Sequence, residues 1–542
     1  MGSAGQARVS LSEPALPPAF GEPIVTTRSF ASTRRTLTRL AVTALVGLTI
    51  AGCSVFGGTT AITPSGAARP PAGVADPADD PALARYYTQK LTWSGCDGKR
   101  QCSWLTVPVD WAAPAGDTLR VRVGRVRADG DPVGALVFNP GGPGVSALQY
   151  LEAADSLWSK KIRSVYDQVT FDPRGVGESD PVHCLPDSQL DAYVAADSTP
   201  DDPAEVAQTV TAAKAFAQAC VTNSGDLIRH VDTISVIRDM DVLRAALGQK
   251  LLVYHGTSYG TFLGAWYAQT FPWRVGRFLL DSAVDPSLTA AEYSEGQARG
   301  FSRALRAFVL DCLDGRRCPV RGTPEQAMQQ VGDLVQQADG APLRTQGVRR
   351  LTQSLMILGI GQALYSTSLW ENLKIGLREA AAGDGTTLLA LADQYLERDE
   401  NGRYGQTLAA NPSMYCLDFG DRRSVGQLQS EADQLRVKYP PLGDSIGWGA
   451  LTCTQWPVPA VLEPQRLTAE GAAPILVVGT VDDPATPYEW AQGLASQLSS
   501  GRLLTWTGHQ HTAYRQGSRC IDQAVENYLL QGVLPAEGTR CN

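Results

Sequence analysis

The chain has 542 residues, a length that predicts two or three structural units, and its apolar content is ordinary for a soluble globular protein. Its formal net charge is −8, which argues against nucleic acid as a partner. No internal repeat, heptad array or membrane-length apolar run occurs in the sequence, so coiled-coil and multi-span membrane proteins are excluded as classes.

The N-terminal region has the pattern of an export signal. Three arginines (34, 35 and 39) precede a short apolar segment, Leu40–Ala51, which is too short to span a bilayer. Cys53 follows directly after Ala-Gly, as in a bacterial lipobox, where that cysteine is acylated. We therefore predict a lipoprotein signal peptide over 1–52 and a lipid anchor at Cys53 on the outer face of the cell membrane. A plain signal peptide with an incidental cysteine is the alternative.

The cysteine count supports export. With Cys53 set aside, ten of the eleven cysteines remain, an even number that indicates disulfides in an exported chain. Sequence does not fix their connectivity, but pairing of neighbours closes short to moderate loops, each stabilising by about 2–4 kcal/mol in the loop-entropy model. The predicted pairs are Cys96–Cys102, Cys184–Cys220, Cys312–Cys318, Cys416–Cys453 and Cys520–Cys541. No pair has C-x-x-C metal spacing, and we predict neither a metal nor another cofactor.

The first half of the chain predicts a tether followed by a mostly parallel sheet. Residues 53–83 are rich in Gly, Pro, Ala and Thr, which indicates a flexible tether. From Trp104 to Val126 apolar residues alternate, as in two antiparallel edge strands. Short buried strands then alternate with amphipathic helices, which predicts parallel pairing: strands at 134–138, 168–171, 251–254 and 277–280, and helices at 203–221 and 232–247.

The pattern changes after Asp285. From about 290 to 465 the periodicity is helical and no convincing strand occurs. Predicted helices in this region cover 301–313, 324–338, 351–363, 369–382 and 387–397. The strand pattern resumes at 474–479 and 502–506, with helices at 487–498 and 518–531. The sequence thus predicts an α/β core in two parts, 84–289 and 466–542, with a helical cap over 290–465 inserted between them.

The stretch Leu251–Thr261 places a serine between two glycines. An apolar strand runs into Gly256-Thr-Ser258-Tyr-Gly260, and a helical pattern follows. A turn this tight strains the serine backbone and leaves no room for β-carbons on the flanking glycines. Strand, turn and helix form the nucleophile elbow of α/β-hydrolases. We therefore predict the α/β-hydrolase fold, a mostly parallel sheet flanked by helices, with Ser258 as nucleophile; an ordinary small-residue turn is the alternative.

An α/β-hydrolase carries an acid and then a histidine after its serine in the chain. The histidine takes the serine proton and later returns it to the leaving group. The chain has five histidines, and order excludes His183, His230 and His255, the last of which we expect to be a packed, hydrogen-bonded core residue. His509 and His511 remain, both in the loop after the strand at 502–506.

The acid is expected after the preceding strand, where Asp482-Asp483-Pro484 stands. Its task is to hold the imidazole tautomer and to stabilise the imidazolium. The order of residues favours this dipeptide and leaves Asp482 and Asp281, at the end of the strand at 277–280, as alternatives to Asp483.

The oxyanion that forms during acyl transfer needs two backbone N–H donors. One is expected from Tyr259, directly after the nucleophile. The other is expected from the loop Asn139–Gly144, whose prolines have no N–H to give. Gly141, Gly142 and Gly144 are left, and we predict Gly142.

Five motifs occur together and in order: Asn139-Pro-Gly-Gly-Pro-Gly, Asp172-Pro-Arg-Gly-Val-Gly-x-Ser, Gly256-Thr-Ser-Tyr-Gly, Gly479-x-x-x-Asp483-Pro-Ala-Thr-Pro and Gly508-x-x-His511-Thr. From about residue 84 to the end, the set resembles the secreted tripeptidyl aminopeptidases of actinobacteria, which are related to proline iminopeptidases. The resemblance implies Ser258 as nucleophile, Asp483 as acid and His511 as base. Asn139 stands where proline iminopeptidases usually have histidine, so a strictly proline-specific activity is not implied.

The resemblance also implies substrates that are peptides or proteins with a free amino terminus. An exopeptidase has to bind the terminal ammonium, normally with cap carboxylates, and the candidates are Asp418, Glu371 and Glu292. A carboxylesterase or lipase with the same triad is the main alternative. A non-catalytic lipoprotein that binds peptides is a second one.

Overall fold

A ten-stranded sheet runs through the part of the chain that the computed structural model describes, which is residues 70–542 without residue 72. The predicted signal peptide, Cys53 and most of the predicted tether lie outside the described residues. The strands, in chain order, are β1 Ser94–Asp97, β2 Arg100–Pro108, β3 Thr118–Val126, β4 Gly134–Asn139, β5 Tyr166–Phe171, β6 Leu252–Thr257, β7 Val275–Asp281, β8 Ile475–Thr480, β9 Gly501–Trp506 and β10 Arg540–Cys541.

The strand order is β1-β2-β3-β5-β4-β6-β7-β8-β9-β10. All pairs from β5 to β10 are parallel, whereas β1, β2 and β3 pair antiparallel with one another and β3 pairs antiparallel with β5. This confirms the predicted mostly parallel sheet with two antiparallel strands at one side. The sequence does not predict β1 and β10, because β1 is exposed along its whole length and β10 has two residues, too few for an apolar alternation.

The helices that precede β7 in the chain pack on the sheet. They are α1 Ala84–Tyr87, α2 Ala154–Leu157, α3 Lys160–Arg163, α4 Asp187–Ala195, α5 Pro203–Ser224, α6 Thr233–Ala246 and α7 Tyr259–Thr270. Local signals explain the longest one: Asp202 and Glu205 form a capping box at the start of α5, and Pro203 occupies its first position. The predicted helices at 203–221 and 232–247 are thereby confirmed.

Alternate residues of the central strands pack into two apolar layers on opposite faces of the sheet, because side chains in a strand point to opposite faces with a period of two. The layer that includes α5, α6 and α7 holds Val137, Tyr254, Phe278 and Val477. The opposite layer holds Phe138, Val253, Leu279 and Val478. Both faces of the central strands are therefore buried, and the carboxyl ends of these strands are left to carry the site.

The segment between β7 and β8 is helical, as predicted. Its helices are α8 Ala290–Asp314, α9 Pro324–Gly340, α10 Gln353–Leu364, α11 Trp370–Ala381, α12 Thr386–Tyr395, α13 Thr407–Asp418, α14 Val425–Lys438, α15 Gly443–Trp448 and α16 Leu451–Thr454. The first five are the predicted helices. The sequence does not predict α13, because Pro412 lies inside it and a proline normally interrupts a helix. Much of this segment buries an apolar cluster of its own, which includes Phe308, Ile360 and Leu388.

The chain then completes the sheet with α17 Tyr488–Gln497 and α18 Arg519–Gln531, both at the predicted positions. All five predicted disulfides are present: Cys96–Cys102, Cys184–Cys220, Cys312–Cys318, Cys416–Cys453 and Cys520–Cys541. In the described part of the chain, no helix combines the length and the apolar character needed to cross a membrane.

Candidate active site

Ser258 lies at the sharp turn between β6 and α7. Its φ is +56°, in a region that residues other than glycine rarely adopt. A β-carbon on Gly256 would lie 2.3 Å from the carbonyl oxygen of Gly260, and one on Gly260 would lie 2.4 Å from that of Asn139. Both positions therefore require glycine, as the sequence predicts. The turn leaves the serine half-buried at the start of a helix.

His511 and Asp483 are in direct contact. The imidazole Nδ1 lies 2.8 Å and 3.1 Å from the two carboxylate oxygens. Asp483 is 1% exposed and also accepts hydrogen bonds from the backbone and hydroxyl of Thr486. The Ser282 hydroxyl donates to Asp483 at 2.6 Å and accepts the backbone N–H of Thr512 at 2.8 Å. The carboxylate is thus fixed from several sides, and Nε2 is the imidazole nitrogen left to exchange a proton with a hydroxyl.

The electrostatics of His511 follow from this contact. Burial by itself lowers the pKa of His511, but the charge and the hydrogen bond of Asp483 outweigh it, so that the pKa is raised from its ordinary value. An imidazolium at this position is therefore stabilised, which is what a general base needs after it has taken a proton.

The end of β7 contacts both the serine turn and the histidine loop. The backbone N–H of Ser258 donates to the carbonyl oxygen of Asp281 at 3.1 Å. The Asp281 carboxylate accepts the N–H groups of Ala513 and Tyr514 at 3.1 Å and 2.9 Å, and burial raises its pKa to about 6. Asp281, an alternative for the acid, thus binds the backbone after His511 and brings the two segments together.

A second carboxylate–imidazole pair lies beside the first. His509 Nδ1 is 2.7 Å from Asp482, and this hydrogen bond raises the pKa of His509. The His509 side chain is 49% exposed, whereas that of His511 is 12% exposed. His509 and Asp482 line a separate cavity of about 400 Å³ with Trp370. Burial therefore distinguishes two pairs that are adjacent in sequence.

The Gly/Pro loop after β4 passes over the serine turn. A β-carbon on Gly141 would lie 2.9 Å from the Ser258 Cβ and 2.8 Å from the backbone nitrogen of Tyr259. The Gly141 N–H donates to the Asn139 side chain at 2.9 Å and is not free. Gly142 and Gly144 are the other residues of this loop that have an N–H, and they are the remaining candidates for the oxyanion donor. The assignment of Gly142 stays a prediction.

His255 is a core residue, as expected. It is 4% exposed, and its Nδ1 accepts a hydrogen bond from Trp158 Nε1 at 3.3 Å. Burial lowers the pKa of His255 to about 3, so it stays neutral at physiological pH. Its burial inside the sheet leaves the two histidines after β9 as the bases near the serine turn.

Comparison with known proteins supports the same family. A family model described as "TAP-like protein" matches residues 439–541. The serine protease Hip1 of Mycobacterium tuberculosis is 38% identical over 475 residues, which cover 84% of this chain and 91% of that protein. The tripeptidyl aminopeptidase of Streptomyces coelicolor is 30% identical over 476 residues, which cover 85% of this chain and 87% of that protein. The chain belongs to the tripeptidyl aminopeptidase-like family of α/β-hydrolases. This confirms the family and the fold that the motifs predict.

Carboxylesterase B of Mycobacterium tuberculosis is also similar, with 36% identity over 448 residues that cover 81% of this chain and 86% of that protein. The names given to relatives of this tripeptidyl aminopeptidase-like chain thus include peptidases and an esterase. All of them are consistent with a serine hydrolase.

The second motif of this tripeptidyl aminopeptidase-like chain supports the glycine loop. The carboxylate of Asp172 accepts hydrogen bonds from the Ser146 hydroxyl at 2.8 Å and from the backbone N–H of Leu148 at 3.3 Å. Arg174 is fully buried and forms a bidentate pair with Asp239, with both distances 2.7 Å. Asp172 therefore binds residues directly after the glycine loop, and the Arg174–Asp239 pair fixes the motif itself. The resemblance alone does not specify this role.

The three carboxylates predicted to bind a substrate ammonium each have other partners. Glu292 accepts the backbone N–H of Thr289 at 2.9 Å as part of the capping box of α8. Glu371 is exposed and pairs with Lys374 at 2.9 Å. Neither residue is among the contacts described for Ser258 or His511, and their assignment stays a prediction.

Asp418 lies behind the serine turn instead of facing solvent. It is 2% exposed and accepts hydrogen bonds from the Thr233 N–H at 2.8 Å and from the Tyr259 hydroxyl at 2.9 Å. Burial raises its pKa to about 7. This carboxylate therefore joins α13 to the residue that follows the nucleophile, which the sequence could not indicate because the two are 159 positions apart.

The helical segment reaches the site through Tyr365. The backbone N–H of His511 donates to the Tyr365 carbonyl oxygen at 2.9 Å, and the Tyr365 ring meets the imidazole edge-on with centroids 5.3 Å apart. The sequence gives no signal for this residue, because an aromatic residue at a helix end is common in packed helices. The contact places the insertion directly over the histidine.

Proposed function

We propose that this protein is a serine aminopeptidase that releases short peptides from free amino termini. The observation that carries the proposal is the buried Asp483–His511 contact, 2.8 Å long, on a loop that the end of β7 ties to the Ser258 turn. The strained serine, the acid and the base follow one another in the chain order typical of the α/β-hydrolase fold. A cofactor is not needed for such a mechanism.

The proposed reaction has two halves. His511 Nε2 takes the proton of the Ser258 hydroxyl while the oxygen attacks the scissile carbonyl carbon, and the N–H groups of Tyr259 and Gly142 bind the oxyanion. The imidazolium then protonates the departing amine, and an acyl-enzyme is left on Ser258. Water, deprotonated by the same imidazole, releases the acyl group as a short peptide. Asp483 holds the imidazole tautomer throughout.

The helical insertion supports an exopeptidase over an endopeptidase. Tyr365 packs against His511, and Ala410 of α13 lies so close to the glycine loop that a β-carbon on Gly144 would come within 2.7 Å of it. A site covered in this way admits a chain end more readily than the middle of a folded chain. The peptidase names of two relatives agree with this proposal, and the carboxylesterase name of the third supplies the alternative.

Matched substrates with a free and a blocked amino terminus test the proposal. A tripeptidyl anilide with a free amino terminus is expected to have a kcat/KM at least about tenfold above that of its N-acetyl derivative, since a bound ammonium is worth about 1.4 kcal/mol or more. Steady-state anilide release measures both values. Equal values, together with faster turnover of simple acyl esters, would support the carboxylesterase instead.

We also propose that the protein is exported and held at the outer face of the membrane by a lipid on Cys53. The five disulfides support an oxidising compartment. Several acyl chains on one residue would anchor it stably, whereas one chain binds only marginally. Expression of the Cys53→Ser variant in a lipoprotein-processing bacterium is expected to move the protein from the membrane fraction to the soluble fraction. A variant that stays in the membrane fraction would contradict the anchor.

A further inference from the structure

Glu397 is linked to the glycine loop on one side. It lies between α12 and α13, and its Oε1 accepts a hydrogen bond from the Thr407 hydroxyl at 2.9 Å. The same hydroxyl is 3.5 Å from the carbonyl oxygen of Gly144, in the loop expected to supply an oxyanion donor. One intervening side chain therefore separates this carboxylate from the loop that passes over Ser258.

Aromatic contacts link the same segment to the histidine on the other side. Tyr395, two residues before Glu397, lies next to Tyr365, with ring centroids 6.3 Å apart. Tyr365 in turn packs edge-on against His511. The segment 395–397 is thus linked through one side chain, Thr407, to the glycine loop and through another, Tyr365, to His511.

The Glu397 side chain is accessible to solvent, and the protein around it still affects its ionisation. The residue is exposed to solvent, yet burial is the largest cause that raises its pKa. Tyr395 shows the same combination, with 42% exposure and a pKa raised by burial.

The carboxylate has capacity for another donor. In the described part of the chain, Thr407 is the residue that donates to it, and no lysine or arginine there pairs with it. A carboxylate offers about four lone-pair sites, so the hydroxyl and the backbone N–H of Thr407 leave room for a further donor. Its nearest basic neighbour in sequence, Arg398, pairs with Asp191 at 2.8 Å instead.

The backbone around Glu397 is specialised for this placement. Its φ is +51°, a left-handed conformation that residues with a side chain rarely adopt. A β-carbon on Gly405 would lie 1.8 Å from Glu397 Oε2, so the carboxylate occupies space that only glycine leaves free. A glutamate that merely covered the surface would need neither feature.

We propose that Glu397 binds the α-ammonium of the peptide substrate and thereby sets where the chain is cut. This inference rests on the proposed aminopeptidase function. An ammonium anchored at Glu397 fixes the first residue, and the number of residues released is the number that fits between it and Ser258; three extended residues span about 10 Å. A charged hydrogen bond in such a site gives orientation as well as affinity.

A structural role in capping α13 is the alternative, and Glu397→Gln separates the two. A glutamine oxygen still accepts the Thr407 hydroxyl, so the cap on α13 is kept, while the charge that attracts an ammonium is removed. Glu400→Gln is the matched control, because Glu400 is an exposed carboxylate three residues further along the same segment.

The experiment compares three substrates for the mature protein and both variants: a tripeptidyl anilide with a free amino terminus, its N-acetyl derivative and 4-nitrophenyl acetate. Glu397→Gln is expected to lower kcat/KM on the free anilide about 10- to 100-fold, mainly through KM. Turnover of the acetylated anilide and of the ester is expected to stay the same, and Glu400→Gln is expected to change none of the three.

A free-to-blocked preference that is unchanged in Glu397→Gln would overturn the inference, and so would an equal loss on all three substrates, which indicates a capping role. If the wild type itself shows no preference for a free amino terminus, the proposed function fails first. If the glutamine variant did not fold, Glu397→Asp would decide in its place, because it keeps the charge but withdraws it by one methylene and must still reduce the preference.

Discussion

Replacement of Ser258 by alanine is expected to lower kcat on a free tripeptidyl anilide by about a millionfold, the loss seen when a triad serine is removed. The alanine retains the space for substrate but removes the hydroxyl of the serine at the turn between β6 and α7. Because serine and histidine act as a unit, His511→Ala should lose about as much, and the double variant should lose no more than either single variant. Single-turnover assays with concentrated enzyme measure the residual rates.

Unchanged folding has to accompany this loss. The midpoint of thermal unfolding of Ser258→Ala should stay close to that of the wild type, since alanine has to adopt the same strained φ of +56° and only a half-buried hydroxyl is removed. Retention of more than about a hundredth of the wild-type rate would show that another nucleophile performs the reaction. Losses that add in the double variant would show that Ser258 and His511 do not act together.

Replacement of Asp483 by asparagine is expected to lower kcat by about 10⁴-fold, whereas Asp482→Asn should change it little. The two residues are adjacent, but Asp483 is buried and contacts His511 at 2.8 Å, while Asp482 contacts the half-exposed His509 at 2.7 Å. Asparagine at 483 can present an N–H to Nδ1 and so favours the wrong imidazole tautomer. Asp482→Asn is therefore a matched control for charge, volume and position in the loop.

The dependence of activity on pH also tests the assignment of Asp483 as the acid. The reaction needs neutral His511, and Asp483 raises the pKa of His511 above its ordinary value of 6.5 in spite of burial. Activity should therefore be lost as the pH falls through a value above 6.5. In Asp483→Asn the lowering effect of burial is opposed only by the charge of Asp281, the smallest of the causes, so the residual activity should persist to lower pH. A profile that shifts in Asp482→Asn and not in Asp483→Asn would assign the base to His509.

Several features of the site are local, and the sequence is sufficient for them. Gly256 and Gly260 flank Ser258 within five residues, so steric exclusion at the elbow is encoded in one short stretch. The five disulfides join neighbouring cysteines in the chain, and pairing by sequence order is correct for all of them. The parallel strands of the sheet centre are continuous apolar runs because both of their faces are buried.

Other elements are not predicted because the local pattern is weak or misleading. The helix α13 contains Pro412, which normally indicates an interruption, yet tertiary packing maintains the helix. This omission matters, because α13 carries Asp418 and begins at Thr407, whose hydroxyl donates to Glu397. The sequence patterns single out Asp418 and not Glu397, whereas in the structure the first is buried behind Tyr259 and the second is accessible.

The sequence by itself determined the fold family, the serine, and the order in which an acid and a base must follow it, because strand–turn–helix patterns, glycine positions and a scarcity of histidines are all local or countable properties. Only the tertiary structure decided which aspartate is buried against which imidazole. Asp482 and Asp483 have the same side chain and adjacent positions, and His509 and His511 lie in one loop. The members of each pair differ in burial and in the direction of their side chains. Both depend on contacts with β7 and with helices that are distant in the chain.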